Sequence, residues 1–189
     1  PEKVQLPPYL ADTPVMRENF SRYLAEITYY DSQVGQIVGL LKKHNLSDNT
    51  LVMVVSEQGN SFPFAKWTCY GNGLQSAMIV RWPGQVEPGS VTDAMVEYVD
   101  VTPTFLEVAG VKPRDNLDGR SFLPVLAGKT DQHKQFTYGI MTTRGIINGS
   151  DAFGIRTVRD KRFRLVWNLH HETKFRNACT QADYFVSMI

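Results

Sequence analysis

A carboxylate, an amide and a lysine stand close together at Glu57, Gln58 and Lys66, in the stretch LVMVVSEQGNSFPFAKWTCY. The two oxygen-bearing side chains follow five apolar residues, 51–55, three of them β-branched, so they sit where a strand ends. In open α/β sheets ligands bind just beyond the carboxyl ends of strands. A carboxylate beside an amide carbonyl supplies two hard oxygen donors of the kind that Ca²⁺ or Mg²⁺ takes. Lys66, eight residues past Gln58, adds a fixed positive charge for an anionic substrate. Polar residues after a strand are also common simply because loops are solvated. Arg144, in a polar loop far along the chain, is a second cation within reach of an anionic group on the same substrate by this reading.

Elements that could position these groups are legible on either side. Residues 1–16 carry four prolines and no helical period, so they read as an extended lead-in. Tyr23, Leu24, Ile27, Tyr30, Val34, Ile37, Val38 and Leu41 recur at threes and fours, which predicts an amphipathic helix from about Arg17 to His44 packed against a sheet. Lys42, Lys43 and His44 complement the dipole of its last turn. The apolar run 51–55 suits a strand buried on both faces of a mostly parallel sheet. Residues 77–82, AMIVRW, predict a second strand closed by Pro83 and Gly84, with Gly71-Asn72-Gly73 as a flexible bend that lets the intervening loop fold over a site. A short strand is expected near 94–98, then a helix from about Asp100 to Gly110 turning Phe105, Leu106 and Val108 inward. Asp100 and Asp118 read as caps or turn residues, without a chemical role.

From Lys129 the texture changes to antiparallel sheet. Residues 136–142 predict a strand and 153–169 a hairpin with Arg159, Asp160 and Lys161 at its tip. In its second arm Phe163, Leu165, Trp167 and Leu169 alternate with Arg162, Arg164, Val166 and Asn168, so the first set is assigned to the core and the second to a basic solvent face. His170 and His171 point opposite ways along an extended chain and make a poor metal site. The fold class is α/β: a mixed sheet with flanking helices over residues 1–128, then the start of a smaller antiparallel-sheet subdomain over 129–189.

Composition excludes several function classes. The chain has 189 residues, 42% of them apolar and 21% charged, enough for one core and a small second layer. Its formal net charge of +1 argues against a broad polyanion-binding surface, hence against nucleic acid as a partner. No apolar run approaches the ~20 residues of a membrane span. Cys69 and Cys179 lie far apart with no CxxC spacing, which argues against structural zinc and leaves a disulfide open. The chain starts at Pro1 and ends without a helix-capping signal, so it reads as part of a longer protein.

The segment from Asp48 to Gly84, DNTLVMVVSEQG…K…Y…MIVRWPG, resembles the sulfatase family within the alkaline-phosphatase-like superfamily. In that family the strand ends in Asp–Asn–Gly or Asp–His–Gly, whose first two residues bind a divalent cation, usually calcium, and a downstream basic residue binds the sulfate. Glu57 and Gln58 keep a carboxylate and a carbonyl oxygen at those places. Lys66 matches the sulfate-binding base. FPFAKWTCY, and the hairpin FGIRTVRDKRFRLVWNLHHETKF with Arg156, Phe163, Arg164, Leu165, Asn168 and Leu169, resemble the sulfamidase branch, N-sulfoglucosamine sulfohydrolase.

The resemblance implies a hydrolase of sulfated glycans, most specifically of N-sulfoglucosamine in heparan-type chains, with Ca²⁺ or Mg²⁺ on Glu57 and Gln58 and Lys66 on the substrate; Arg144 is assigned to the substrate by its loop position alone. It also implies a formylglycine nucleophile, made from C/S–x–Pro–x–Arg by a formylglycine-generating enzyme. That motif does not occur in the 189 residues, so the nucleophile and remaining metal ligands are expected N-terminal to Pro1, and this portion alone is expected to be inactive. Export, for instance to a periplasm, is implied by resemblance alone. Two alternatives stay open: a phosphate-acting relative with the same strand-end metal ligands, and a non-catalytic protein that binds sulfated glycans.

Overall fold

The computed structural model describes residues 2–112 and 116–187. Its elements in chain order are α1 (Pro14–Lys43), β1 (Val52–Val55), α2 (Gly71–Leu74), β2 (Met78–Arg81), α3 (Val101–Val108), α4 (Leu123–Leu126), β3 (Thr137–Met141), β4 (Ile155–Arg159), β5 (Arg164–Asn168) and α5 (Asp183–Val186), with 3₁₀ turns at Ser47–Asn49, Tyr98–Asp100 and Ala178–Gln181. It is an α/β arrangement with two small antiparallel sheets. Among the described residues no helix is long and apolar enough to cross a membrane.

Helix α1 begins three residues earlier than its apolar period predicts. Thr13 is extended and its hydroxyl accepts the Met16 amide at 3.1 Å, while Pro14 occupies the first helical position, where its missing N–H costs nothing. Met16 and Phe20 are buried and join Leu10 and Phe62 in one core cluster. Leu24, Ile27, Tyr30 and Ile37 on the same stripe are exposed. The helix therefore packs through its first two turns against the loop after β1 and against α5, rather than lying along a sheet as its pattern predicts. Further along, the Tyr30 hydroxyl reaches the Val55 carbonyl at 3.2 Å.

Strand β1 pairs antiparallel with β2, from Val52 opposite Arg81 to Val55 opposite Met78. The parallel, doubly buried expectation is thus corrected: β1 is half-buried and Val55 exposed. An apolar run sets strand propensity but not the direction of its neighbour, and here the chain folds back on itself without a crossover helix. The Gly71-Asn72-Gly73 bend is also not loose. It opens α2, and a Cβ on buried Gly73 would lie 2.5 Å from the Ala65 and Thr68 carbonyl oxygens, so glycine is there for close packing.

Residues 94–98 form no strand. Glu97 and Asp100 instead make a capping box around the Tyr98–Asp100 turn that leads into α3, each carboxylate facing the other residue's amide. Asp100 does act as a cap, as expected, but it also does more. Its Oδ2 accepts from the Glu97 amide at 2.9 Å and faces His133 Nε2 at 3.2 Å; its Oδ1 accepts from the Arg120 amide at 3.0 Å and Lys134 Nζ at 2.9 Å. The Thr104 hydroxyl donates to the Asp100 carbonyl and accepts from the Phe122 amide. This joins VDVTPTF to DGRSF. Phe105 is exposed, against the inward assignment; buried Pro103 and Thr104 hold the inner face of α3. Asp118 lies in an exposed bend.

Gly119 makes the junction possible, since a Cβ there would stand 1.9 Å from the Val99 carbonyl oxygen. Backbone cannot yield as a side-chain tip does. Gly119→Ala is expected to cost about 3 kcal/mol or more, seen as a lowered urea midpoint with an unchanged m-value.

Strands β3, β4 and β5 form a three-stranded meander at the predicted places, with the turn at Asp160 closing the hairpin. Its faces are the reverse of the sequence assignment. Ile155 and Thr157 point into the core, and the register puts Asn168 and Val166 beside them, with Arg164 next in line. Phe163, Leu165 and Trp167 are exposed, together with Tyr138 and Ile140. Alternation gives the period of a strand but not its phase, and a shift of one residue exchanges the faces. Arg164 tolerates the inner side by donating to the Cys69 carbonyl at 3.3 Å.

Candidate active site

The loop after β1 is folded by its own sequence. Asn60 closes it: its side-chain oxygen accepts the Phe62 amide at 3.1 Å, an Asx turn, and its carbonyl accepts the Lys66 amide at 2.9 Å. Gly59 has φ +56°, and a Cβ there would meet the Asn72 carbonyl oxygen at 2.8 Å and the Lys66 nitrogen at 2.9 Å. Only glycine fits. Phe64 and Trp67, on either side of Lys66, also have positive φ, at 64° and 63°. Backbone in that region persists in non-glycine residues only where the surroundings hold it.

The structure brings Glu57 and Lys66 together. Lys66 Nζ lies 2.6 Å from Glu57 Oε2; the lysine side chain is 18% exposed and the glutamate 66%. The ammonium also stands 5.9 Å from the centre of the Trp67 ring. Gln58 is exposed beside Glu57 at the strand end. Arg144 is exposed in the loop after β3, its backbone amide donating to the Thr142 hydroxyl. Nothing in the contacts of Arg144 joins it to Lys66.

The donor chemistry at the strand end fits a hard divalent cation: Glu57 offers a carboxylate and Gln58 an amide oxygen. Among the described residues no three His, Cys, Asp or Glu side chains converge on one point, so these two groups would supply only part of the six to eight oxygens that Ca²⁺ takes. His170 and His171 lie near Glu172 instead, at 3.6 Å each.

Residues remote in sequence complete the surroundings. The Phe62 ring packs against Phe20, Tyr23 and Tyr184, with centroids 5.5, 5.7 and 5.3 Å away. Asn60 Nδ2 donates to the Tyr9 hydroxyl at 3.3 Å, and the Tyr184 hydroxyl donates to the Ser61 carbonyl at 2.5 Å. Cys179 and Cys69 are both buried free thiols and are not paired with each other. Burial pushes the Cys179 thiol up, opposed by the neighbouring Tyr184 and the charge of Lys66. Burial pushes the Tyr184 phenol up to about 12, with the neighbouring Cys179 adding to it. Asn60 carried a local signal, an Asn following Gly at a strand end. Tyr9, Cys179 and Tyr184 carried none, since only folding brings them here.

Family comparison gives this geometry its setting. The description "Sulfatase" matches residues 4–111, and "N-sulphoglucosamine sulphohydrolase, C-terminal" matches residues 59–179. The chain belongs to the sulfatase family. An ulvan-active sulfatase of Formosa agariphila is 36% identical over 148 residues, covering 78% of this chain and 29% of its own length. An N-acetylglucosamine-6-O-sulfatase of Bacteroides thetaiotaomicron is 34% identical over 143 residues, 71% of this chain and 26% of its own. Human N-sulphoglucosamine sulphohydrolase is 26% identical over 198 aligned residues, 99% of this chain and 38% of its own. This sulfatase chain thus spans well under half the length of each. A protein solved in complex with its substrate, D-glucosamine-2-N,6-O-disulfate, shares the fold with TM-score 0.69 at 20% identity, over 88% of this chain and 36% of that one. The α/β fold expected from sequence is therefore the fold of the corresponding part of that protein and of a solved sulfatase-like chain of Bacteroides thetaiotaomicron.

Proposed function

We propose that the protein of which this chain is part hydrolyses sulfate from sulfated glycans, with the N-sulfate of glucosamine in heparan-type chains as its substrate. The observation that carries the reading is the Lys66 ammonium, placed 2.6 Å from a strand-end carboxylate. Support for the sugar comes from the match of residues 59–179 to the N-sulphoglucosamine sulphohydrolase C-terminal region, which includes the Lys66 loop and the β4–β5 hairpin.

Lys66 binds a sulfate oxygen and offsets the charge that builds on the leaving anion. The Glu57 partner is mostly exposed, so the pair is weak and exchanges readily for a substrate oxyanion. Glu57 and Gln58 hold Ca²⁺ or Mg²⁺ together with ligands outside this chain. Such an ion, when bound, neutralises the sulfate oxygens and favours attack on an anion. Arg144 takes a second anionic group of the sugar. The C/S–x–Pro–x–Arg motif is absent from the sequence, so in this reading the nucleophile precedes Pro1, a formylglycine-generating enzyme matures it, and these 189 residues alone do not turn over. The protein is exported.

The test is sulfate release by the complete reading frame, co-expressed with a formylglycine-generating enzyme, from N-sulfated and O-sulfated glucosamine, with Ca²⁺ and with chelator. Release from the N-sulfate that falls on chelation is expected. Release from O-sulfates alone overturns the assigned sugar position, and turnover of a phosphate monoester in their place overturns the sulfatase reading.

A further inference from the structure

We propose that Tyr184 is a positioning residue for the anion site at Lys66, acting through the Ser61 carbonyl and the Phe62 ring. The inference rests on Lys66 being the sulfate-binding cation.

An ammonium on a flexible stem binds an anion well only if its backbone is held, and the Lys66 backbone belongs to a closed loop whose amide of Lys66 returns to the Asn60 carbonyl. Among the described residues, three of the contacts that hold the loop come from aromatic side chains remote in sequence. Tyr9 meets Asn60, the α1 rings of Phe20 and Tyr23 meet Phe62, and Tyr184 meets both Ser61 and Phe62. Of these, Tyr184 is the one that adds a hydrogen bond to the loop backbone as well as a ring contact. It comes from 123 residues away, so it gains nothing from sequence proximity.

Tyr184 is itself tied down. The Ser187 hydroxyl donates to the Tyr184 carbonyl at 2.8 Å and pairs with the Thr13 hydroxyl at 3.1 Å, so α5 is fixed to the cap of α1. A continuous set of contacts runs from Thr13 through Ser187 and Tyr184 to Ser61, Asn60 and Lys66. Its end point is a loop with Phe64 and Trp67 held in left-handed backbone, which relaxes when the restraint is removed. The raised phenol pKa keeps Tyr184 a donor through the whole range of ordinary assay pH.

Tyr184→Phe keeps the ring and deletes only the hydroxyl. Inorganic sulfate is the probe, followed through the NMR signals of Lys66 and of the Trp67 indole in the complete protein, with amide exchange recorded alongside. One hydrogen bond of this kind corresponds to about a three- to ten-fold change in an equilibrium. Tyr184→Phe is expected to weaken sulfate binding by that factor and to speed exchange of the Lys66 amide, with amides of β3 to β5 unchanged. In a Lys66→Ala background it should have no further effect on sulfate, because its action passes through that lysine. Sulfate affinity that collapses in Lys66→Ala but is untouched in Tyr184→Phe overturns this proposal alone. Affinity indifferent to Lys66→Ala overturns the reading of Lys66, and the proposal with it. Faster exchange everywhere in Tyr184→Phe would mark general loosening and overturn the positioning role.

Discussion

Lys66→Ala is expected to lower kcat/KM for sulfate release by about a hundred- to a thousand-fold, on the order of 3–4 kcal/mol of barrier, as removal of a preorganised electrostatic partner does. The same substitution should barely move thermal stability. Its ion pair joins a lysine to a glutamate that is 66% exposed, and such pairs contribute about 0–1 kcal/mol. This contrast makes the experiment decisive: loss of activity with an unchanged melting curve assigns the lysine to the chemistry, whereas parallel losses would reduce it to a structural residue. Lys66→Arg should recover part of the rate, since it keeps the charge but presents a planar fork in place of a compact ammonium. Sulfate release assayed beside calorimetry on all three proteins gives the answer.

Asp100→Ala is the largest stability loss expected in the molecule, about 3–5 kcal/mol, without direct effect on substrate contacts. Asp100 is fully buried and accepts from two backbone amides and the Lys134 ammonium, with His133 as a fourth neighbour. Its removal leaves Lys134, only 15% exposed, to share the single carboxylate of Glu97. The fold of α3 onto the segment before β3 should loosen as a unit, read by amide exchange in both.

The same cluster sets an acid limit. Burial by itself raises the Asp100 carboxyl, but the Lys134 hydrogen bond and the Glu97 and Arg120 amides outweigh it and hold the group below its ordinary value. A depressed carboxyl contributes stability above the unfolded value near ~3.9 and loses it as pH falls through the native one. His133 is also depressed, burial outweighing the attraction of Asp100, so the native ring favours the neutral form. The unfolded chain then binds the extra proton first, and stability starts to fall once pH drops below ~6.5. Lys134 is raised: burial opposes its charge, but Glu97 and Asp100 prevail, so its contribution is full below ~10.4 and is lost only as pH rises through the native value. Melting temperature against pH should therefore be level, as far as this cluster governs it, between roughly 6.5 and 10, and fall in two stages on the acid side. His133→Asn should remove the first stage and leave the second.

Much of the chain was legible because its signals are local. The 3.6 period of α1, the basic last turn, the strands at 52–55, 78–81, 137–141, 155–159 and 164–168, and the Asp160 turn all follow from residue type and spacing within one element. The meeting of strand end and polar loop at Glu57 and Gln58 was legible in the same way. The cap role of Asp100 was legible too, being a matter of neighbours three residues apart.

Partner, direction and phase were not local. Whether β1 pairs parallel or antiparallel, and which alternating set of β5 turns inward, are each set by what lies across the gap. Trp167 and Leu165 read as core by type, yet Ile155 and Thr157 fix the inner face through the β4–β5 register. Gly73 read as part of a loose bend and proved to be a close contact with backbone from another segment, and Gly119, which carried no signal, is another. At the candidate site the sequence alone determined the donors, Glu57, Gln58 and Lys66, since the chemistry belongs to the side chains themselves. Only the tertiary structure decided that Glu57 and Lys66 touch and that Tyr9, Phe20 and Tyr184 hold their loop, because those contacts close long stretches of chain and leave no trace in the spacing of residues along it.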